Sequence, residues 1–206
     1  MKHTPLKKSA VALAVMTSLF AQAVVAEETT IDKPNTTLTG QKWTDKVTIE
    51  EEALGKDSVV TIKDSVVDSV EAGKNGLTAT MGGGTLNIQG LKASVLGSGD
   101  YNLLVKGDGG SVNISDSAFG QNVYLSGAGV NINLSNVFIQ ALYTAESAII
   151  TGNNVTAGSA SAFSTAKLTL DNSFVGGSED ASILARDSST TLTLNNSRIE
   201  AALSAS

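Results

Sequence analysis

The chain has no cysteine and little of the chemistry on which most enzyme sites depend. Its 206 residues include one histidine, His3, and two prolines, and aromatic residues make up 4% of the total. Without cysteine there is no disulfide, so stability must come from packing. Serine–histidine and cysteine–histidine nucleophilic sites, like the usual zinc sites, need histidine or cysteine. The part of the chain that follows His3 therefore cannot form them.

The N-terminal segment has the composition of a secretory signal peptide. A basic stretch at residues 2–8 is followed by an apolar stretch at residues 10–20 and then by small residues up to Ala26. This order predicts a signal peptide over residues 1–26, with cleavage after Ala26 or, as the second choice, after Ala23. A membrane anchor is the alternative, but the apolar stretch is shorter than the about 20 residues that span a bilayer.

The charge balance of the remaining chain is acidic. Three of the 14 basic residues and none of the 20 acidic residues lie in the predicted signal peptide, which leaves 11 against 20 and a net charge of −9. Such a balance argues against nucleic acid and against anionic lipid as partners.

A repeated pattern runs through the rest of the chain: apolar, polar, apolar, two small polar residues, serine or asparagine, and another apolar residue. Clear copies occupy residues 111–119, 167–175 and 191–199, and looser copies begin at Val59, Thr85, Val130 and Ala148. The second apolar residue of each copy falls at Ile62, Ile88, Ile114, Leu134, Ile150, Leu170 and Leu194, which gives gaps of 26, 26, 20, 16, 20 and 24 residues.

These gaps predict the architecture. A period between 20 and 50 residues indicates a solenoid, and the alternation with period two indicates strands. Three short strands with their turns use about 22 residues, which is enough for one coil of a parallel β-helix. We therefore predict an all-β fold, a right-handed parallel β-helix of about seven coils, over residues 47–206. Residues 27–46 are predicted to be an N-terminal leader or cap, with Leu38 and Trp43 as apolar anchors.

Polar residues follow the strand of each copy, at a turn. Coil stacking would align them into ladders that satisfy backbone groups at the corners; they are Ser115/Asp116/Ser117, Ser135/Asn136, Asn153/Asn154, Asp171/Asn172/Ser173 and Asn195/Asn196/Ser197. A structural role is favoured over a ligand-binding stripe. A second row is expected at Thr61, Asn87, Asn113, Asn133, Thr151, Thr169 and Thr193. Its mixture of asparagine and threonine differs from the regular threonine array of an ice-binding face.

Residues for catalysis are scattered. The acids that could act in a carbohydrate-active β-helix enzyme are Asp57, Asp64, Asp68, Glu179 and Asp180, and they form no repeating cluster. Residues 82–84 lack the aspartate of a glycine-rich calcium repeat, and Lys106-Gly107-Asp108 matches an integrin-binding tripeptide only with lysine in place of arginine. We predict no catalytic, cofactor-binding or metal-binding residue, and no enzyme.

Taken together, the signal peptide and the acidic, cysteine-free coils with strands such as Thr191-Leu-Thr-Leu-Asn-Asn-Ser197 resemble the passenger region of bacterial autotransporters of the pertactin and self-associating adhesin kind. The resemblance covers residues 47–206. It implies export through the inner membrane, passage through a C-terminal barrel in the outer membrane, and display on a Gram-negative cell. The chain contains no string of strands typical of such a barrel, so we expect a fragment without its translocator.

The expected function is that of a cell-surface or secreted adhesin or self-association factor, acting in aggregation, biofilm formation or virulence. Binding to a host surface, to extracellular matrix or to another copy is expected along the side faces, and no nucleic acid partner is expected. If the chain is complete as given, a periplasmic location is the alternative. The alternative functions are a carbohydrate-active enzyme of the lyase or hydrolase kind and an inactive structural remnant.

Overall fold

A computed structural model describes residues 24–25, 28–69, 76–95, 101–177, 182–200 and 202–205. The predicted signal peptide lies outside these ranges except for Val24–Val25, and so do Glu179 and Asp180.

The described chain is all-β. Its strands are β1 (Val24–Val25), β2 (Thr29–Ile31), β3 (Thr36–Thr39), β4 (Lys42–Trp43), β5 (Val47–Ile49), β6 (Val59–Lys63), β7 (Val66–Ser69), β8 (Leu77–Gly82), β9 (Thr85–Gln89), β10 (Lys92–Val95), β11 (Tyr101–Asp108), β12 (Ser111–Ser115), β13 (Ala118–Ser126), β14 (Asn131–Ala145), β15 (Ile149–Ala162), β16 (Lys167–Asp171), β17 (Phe174–Gly176), β18 (Ser182–Ala185), β19 (Thr191–Asn195), β20 (Arg198–Glu200) and β21 (Ala202–Ala205). A 3₁₀ turn, Glu51–Leu54, lies between β5 and β6.

The strands pair in parallel and build three side faces. The first face contains β3, β6, β9, β12, the beginnings of β14 and β15, β16 and β19. The second contains β4, β7, β10, the beginning of β13, the middles of β14 and β15, β17 and β20. The third contains β2, β5, β8, β11, the ends of β13, β14 and β15, β18 and β21. The chain thus coils through the three faces in turn, as a solenoid does.

The register on the first face confirms most of the repeat and corrects one copy. Residues paired between neighbouring coils on this face are 18, 20, 24 or 26 positions apart. The position equivalent to Leu134 in the next coil is Gly152, whereas Ile150 pairs with Ile132. The prediction that Ile150 is the second apolar residue of its copy was wrong, because Gly152 occupies that inward position. A Cβ on Gly152 would lie 2.7 Å from the Leu170 side chain and 2.9 Å from Val155, so neighbouring side chains fill the space.

The interior is mainly aliphatic, as alternation requires. On the first face, Val60, Ile62, Leu86, Ile88, Val112, Ile114, Ile132, Leu168 and Leu170 all point inward and are buried. Trp43 and Phe119 are buried on the second face. The outward residues of the same strands stay accessible, which leaves each face with continuous surface rows.

The segment predicted as a leader or cap contains strands that stack like those that follow. Strands β2, β3 and β4 pair with β5, β6 and β7, so the segment contributes to all three faces. Within it, Leu38 pairs with Ile62, and Trp43 is 1% exposed. The domain boundary at residue 47 stays a prediction.

Candidate binding surfaces of the solenoid

The first face carries the predicted row of asparagine and threonine side chains. The pairing register aligns Thr61, Asn87, Asn113, Asn133, Thr151, Thr169 and Thr193, which confirms all seven positions. The amide of Asn113 donates to Asn87 Oδ1 at 2.9 Å, and Asn133 donates to Asn113 Oδ1 at 3.0 Å. An outward position on parallel, in-register strands recurs in every coil, so equal side chains form a ladder there.

Apolar side chains lie beside this row. Ile149 is 43% exposed and Val59 is 38% exposed, and both begin first-face strands two residues before a member of the row. The first face therefore combines hydrogen-bonding groups with local apolar contact area.

A second ladder marks the corner between the first and second faces. Its backbone is left-handed at Asp64, Asp116, Asn136, Asn154, Asn172 and Asn196, and at Gly40 and Gly90. Asn136 donates to Asp116 Oδ1 at 2.8 Å, and Asn154 donates to Asn136 Oδ1 at 2.7 Å. Asparagine, aspartate and glycine are the residues that tolerate this conformation best. The predicted polar ladders are confirmed, and the corner geometry explains their composition.

Serines directly after the corner turn inward. Ser117 donates to the Ser115 carbonyl at 2.7 Å and accepts from the Leu91 N–H at 3.1 Å. Ser173 repeats the arrangement, with the Asp171 carbonyl at 2.8 Å and the Val155 N–H at 3.0 Å. Each hydroxyl satisfies a backbone group of its own coil and one of the preceding coil, so these serines have a structural role.

The second face carries an outward row that alternates short and long side chains. Cross-strand pairing places Val66, Lys92, Ala118, Phe138, Thr156 and Phe174 in succession. Phe138 is 46% exposed, the largest exposed fraction among the large apolar side chains of the described residues. A groove of about 300 Å³ lies beside it and is lined by Lys92, Asp116, Ala118, Asn136 and Thr156, among others. We name this set of six residues the ribbed row.

Beyond Phe174, the same outward position is taken by Arg198. Its guanidinium carbon lies 5.8 Å from the centroid of the Phe174 ring, and it forms an ion pair with Glu200. This end of the second face is thus a cation covering an aromatic ring, with its charge balanced by a neighbouring carboxylate.

The third face carries tyrosines. Tyr124 and Tyr143 are cross-strand partners, and the rings of Tyr101 and Tyr124 lie 5.4 Å apart at 58°. Burial raises the pKa of Tyr124 above its ordinary value, and the negative charge of Glu146 and the neighbouring Tyr101 add to the effect. The shift favours the protonated Tyr124 hydroxyl, which can act as a hydrogen-bond donor.

Of the predicted acidic candidates, the structure describes Asp57, Asp64 and Asp68, and it separates Asp57 from Asp64. Asp57 precedes β6 and Asp64 follows it, so the two residues lie beyond opposite ends of a strand whose five residues extend for about 16 Å. Catalytic carboxylate pairs of glycosidases lie about 5–10 Å apart. Asp68 is on β7 of the second face. Within the ranges that the structure describes, no group of three or more metal-ligating residues occurs.

The tripeptide Lys106-Gly107-Asp108 belongs to strand β11. A Cβ on Gly107 would lie 2.2 Å from the Met81 carbonyl oxygen, and Asp108 Oδ1 accepts from the Ala128 N–H at 3.2 Å. Gly107 and Asp108 thus have structural partners in the coils on either side.

Sequence reasoning missed the ribbed row and the third-face tyrosines. The ribbed row was readable, because each of its members stands two positions after a left-handed corner residue: Asp64, Gly90, Asp116, Asn136, Asn154 and Asn172. Tyrosines 101, 124 and 143 were visible as single residues, but their alignment depends on the register shifts within β11 and β13.

No protein-family model, curated protein or solved structure matches the chain. As for membrane spans, the described residues include no helix of sufficient length and apolar character.

Proposed function

We propose that the chain is an exported β-helical passenger that acts as an adhesin or self-association factor at the surface of a Gram-negative bacterium, or as a secreted protein. The observation that carries the proposal is the continuous first face, where the row from Thr61 to Thr193 is accessible, with Asn133 and Thr151 exposed, alongside the exposed Val59 and Ile149. The partner is another copy of the chain, a host surface or extracellular matrix.

In this proposal the solenoid is a right-handed parallel β-helix of about seven coils. Its parallel pairing, with the chain passing through three faces in turn, supports the arrangement. A rod of this kind binds along its length, because its side faces are much larger than its ends.

The first face offers hydrogen bonds to a partner even though its amides already bond to each other. An asparagine amide has two N–H donors and a carbonyl oxygen with two lone pairs, and each ladder bond uses one donor and one lone pair. Asn113 and Asn133 therefore keep one donor each for a partner. A single exposed hydrogen bond contributes only about 1 kcal/mol. Useful affinity requires many coils to bind together.

Thr151 gives a sharp test, because it lies within the first-face row, between Asn133 and Thr169, and is exposed. In Thr151→Glu, a carboxylate would face the partner's surface, and we expect self-association to weaken by about tenfold or more through desolvation and like-charge repulsion. Sedimentation velocity of the purified chain over a concentration series measures this.

The matched control is Thr156→Glu, which introduces the same change on the same strand but on the second face. It should self-associate like the unaltered chain, and both variants should keep the thermal unfolding midpoint within a few degrees. Equal self-association of Thr151→Glu and the unaltered chain would contradict self-association through the first face.

A further inference from the structure

The ribbed row has a regular relief along the rod. Long side chains at Lys92, Phe138 and Phe174 alternate with short ones at Val66, Ala118 and Thr156, coil by coil. The inward neighbours Val67, Phe119, Ile139, Ala157 and Val175 are buried, which fixes the outward direction of the row. The short residues are therefore notches between ribs.

The repeat of this relief follows from the strand spacing. Neighbouring strands of a sheet are about 4.8 Å apart, so equivalent notches are separated by about 9.6 Å. A partner lying along the rod must repeat with this distance to use every notch.

Extended peptide strands and helices do not have this repeat. Side chains on one side of a strand recur every two residues, about 6.7 Å. The turns of an α-helix recur about every 5.4 Å, so two turns span about 10.8 Å and exceed the notch repeat by about 1.2 Å, a mismatch that accumulates along the rod. In an extended β-1,4-linked chain of hexopyranose rings, each ring is rotated by about half a turn from the last, and every second ring presents the same face. Two such rings have a length on the order of 10 Å, which is close to the about 9.6 Å of two strand spacings.

The chemistry of the best-defined notch suits a sugar ring. Ala118 forms its floor, and Phe138 supplies an exposed apolar wall against which the C–H face of a pyranose can pack. Asn136 and Asn154 lie along one side, and their ladder bonds use one of the two amide N–H donors of each residue. The remaining donors can bond to hydroxyl groups at the ring edge.

Charge indicates a neutral sugar. The charged residues that line the Ala118 notch are Lys92 and Asp116, which have opposite signs, and Arg198 at the end of the row is paired with Glu200. The notch thus has no net charge, although the chain as a whole is acidic. Nothing in this arrangement favours a carboxylate-bearing sugar over an uncharged one.

We propose that the ribbed row binds a neutral, extended β-1,4-linked polysaccharide that runs along the rod, with alternate rings in the notches at Val66, Ala118 and Thr156. This inference rests on the proposed function, in which side faces are binding surfaces, and it names the partner of the second face. Self-association is assigned to the first face, so the glycan site and the self-association interface can be rejected independently.

The test is calorimetric titration of the purified chain with a soluble β-1,4-linked hexasaccharide of glucose, and with one of N-acetylglucosamine. At least one of them should bind. The matched α-1,4-linked glucose hexasaccharide, whose rings follow a curved path, should bind at least about tenfold more weakly.

Two variants locate the site. Thr156→Phe fills a notch with an outward side chain, and Phe138→Ala removes a rib. Each variant should weaken binding of the sugar by about tenfold or more, the amount expected when one sugar ring loses its buried contact. Thr151→Phe makes the same exchange on the first face of the same strand and should bind the sugar like the unaltered chain. Thermal unfolding checks that all three variants fold.

Three results would overturn the proposal: failure of both β-linked sugars to bind, equal binding of the α-linked sugar, or equal losses in Thr156→Phe and Thr151→Phe. Self-association that is lost in Thr151→Glu while sugar binding is absent would reject the glycan site alone. Sugar binding without self-association would reject the first-face interface alone.

Discussion

At the scale of single residues, the ladder amides of the first face and of its corner show a common direction. In the bonds described across coils, the amide of the later coil donates to the earlier one, as in Asn113 to Asn87, Asn154 to Asn136 and Asn196 to Asn172. Asp116 and Asp171 take part only as acceptors, from Asn136 and Asn195. An ionised carboxylate has no proton to donate, so aspartate suits the end of a ladder that receives bonds. The direction of the ladders thus limits where aspartate can replace asparagine.

Asn172 has both a left-handed backbone and ladder hydrogen bonds to two coils, and it gives a prediction at the residue scale. Its backbone is left-handed, with φ of 49°, and its side chain donates to Asn153 at 3.0 Å and accepts from Asn196 at 2.6 Å. Asn172→Ala should destabilise the chain by about 2–3 kcal/mol, from left-handed strain of about 1–2 kcal/mol and the loss of two exposed hydrogen bonds. The free energy of unfolding in urea measures the loss.

Asn172→Gly separates the two contributions. Glycine adopts the left-handed conformation without strain, so this variant should lose only the ladder bonds, about 1 kcal/mol. If the alanine and glycine variants were equally stable, backbone strain would not explain the choice of asparagine at this corner.

At the scale of elements, the strands could be predicted much better than their register. The alternation around Leu168 and Leu170 is uninterrupted, and the same is true of Val112 and Ile114, so these strands were found from sequence. At Gly152 the alternation fails, because Leu170 and Val155 fill a position that has no side chain of its own. A pattern of apolar residues cannot show that neighbours have filled a gap.

The candidate binding surfaces also differ in how far they could be predicted from the sequence. The first-face row depends on one strand per coil, and all its members could be predicted. The ribbed row depends on which residue follows the corner, and the alternation of its side-chain sizes becomes visible only when Ala118, Phe138 and Thr156 are set side by side. The third-face tyrosines follow an irregular register between β11 and β13, which no local pattern predicts.

The turn after β13 provides an element-scale prediction. Gly127 has φ of 132°, and a Cβ there would lie 1.8 Å from the Gly107 carbonyl oxygen of the neighbouring coil. Alanine cannot be placed without moving one backbone away from the other, so Gly127→Ala should cost about 3 kcal/mol or more in urea unfolding.

Gly129 is the matched control in the same turn. Its φ is also positive, at 72°, but a Cβ would meet nothing within 4 Å. Gly129→Ala should therefore show only the conformational cost, about 1 kcal/mol. Similar losses in the two variants would mean that the approach of the Gly127 and Gly107 backbones does not constrain the stack.

At the scale of the whole molecule, each coil is stabilised mainly by its two neighbours. Val112 and Ile114 on β12 are buried between β9 and β14, whereas Leu192 and Leu194 on β19 are only partly buried and pack against β16 on one side. In a stack where each unit contacts only its neighbours, protection should fall towards a strand that is paired on one side.

Hydrogen exchange followed by NMR can test this coil by coil. In a parallel strand, successive N–H groups point to opposite neighbours. The Thr191 N–H donates to the Ala166 carbonyl of the preceding coil at 3.0 Å, so the N–H of Thr193 faces β16 and that of Leu194 faces away from it. We expect the Leu194 amide to exchange at least about tenfold faster than the Thr193 amide in the purified chain.

Ile114 is the control, because it has the same inward position and orientation as Leu194 but has β14 on the side to which its N–H points. Its amide should be among the slowest to exchange. Equal exchange at Leu194 and Ile114 in dilute solution would contradict the expectation that β16 is the one partner of β19 among the described strands. Protection of Leu194 that rises with protein concentration would instead show that copies of the chain meet at this strand, because an unpaired strand edge can bind another chain.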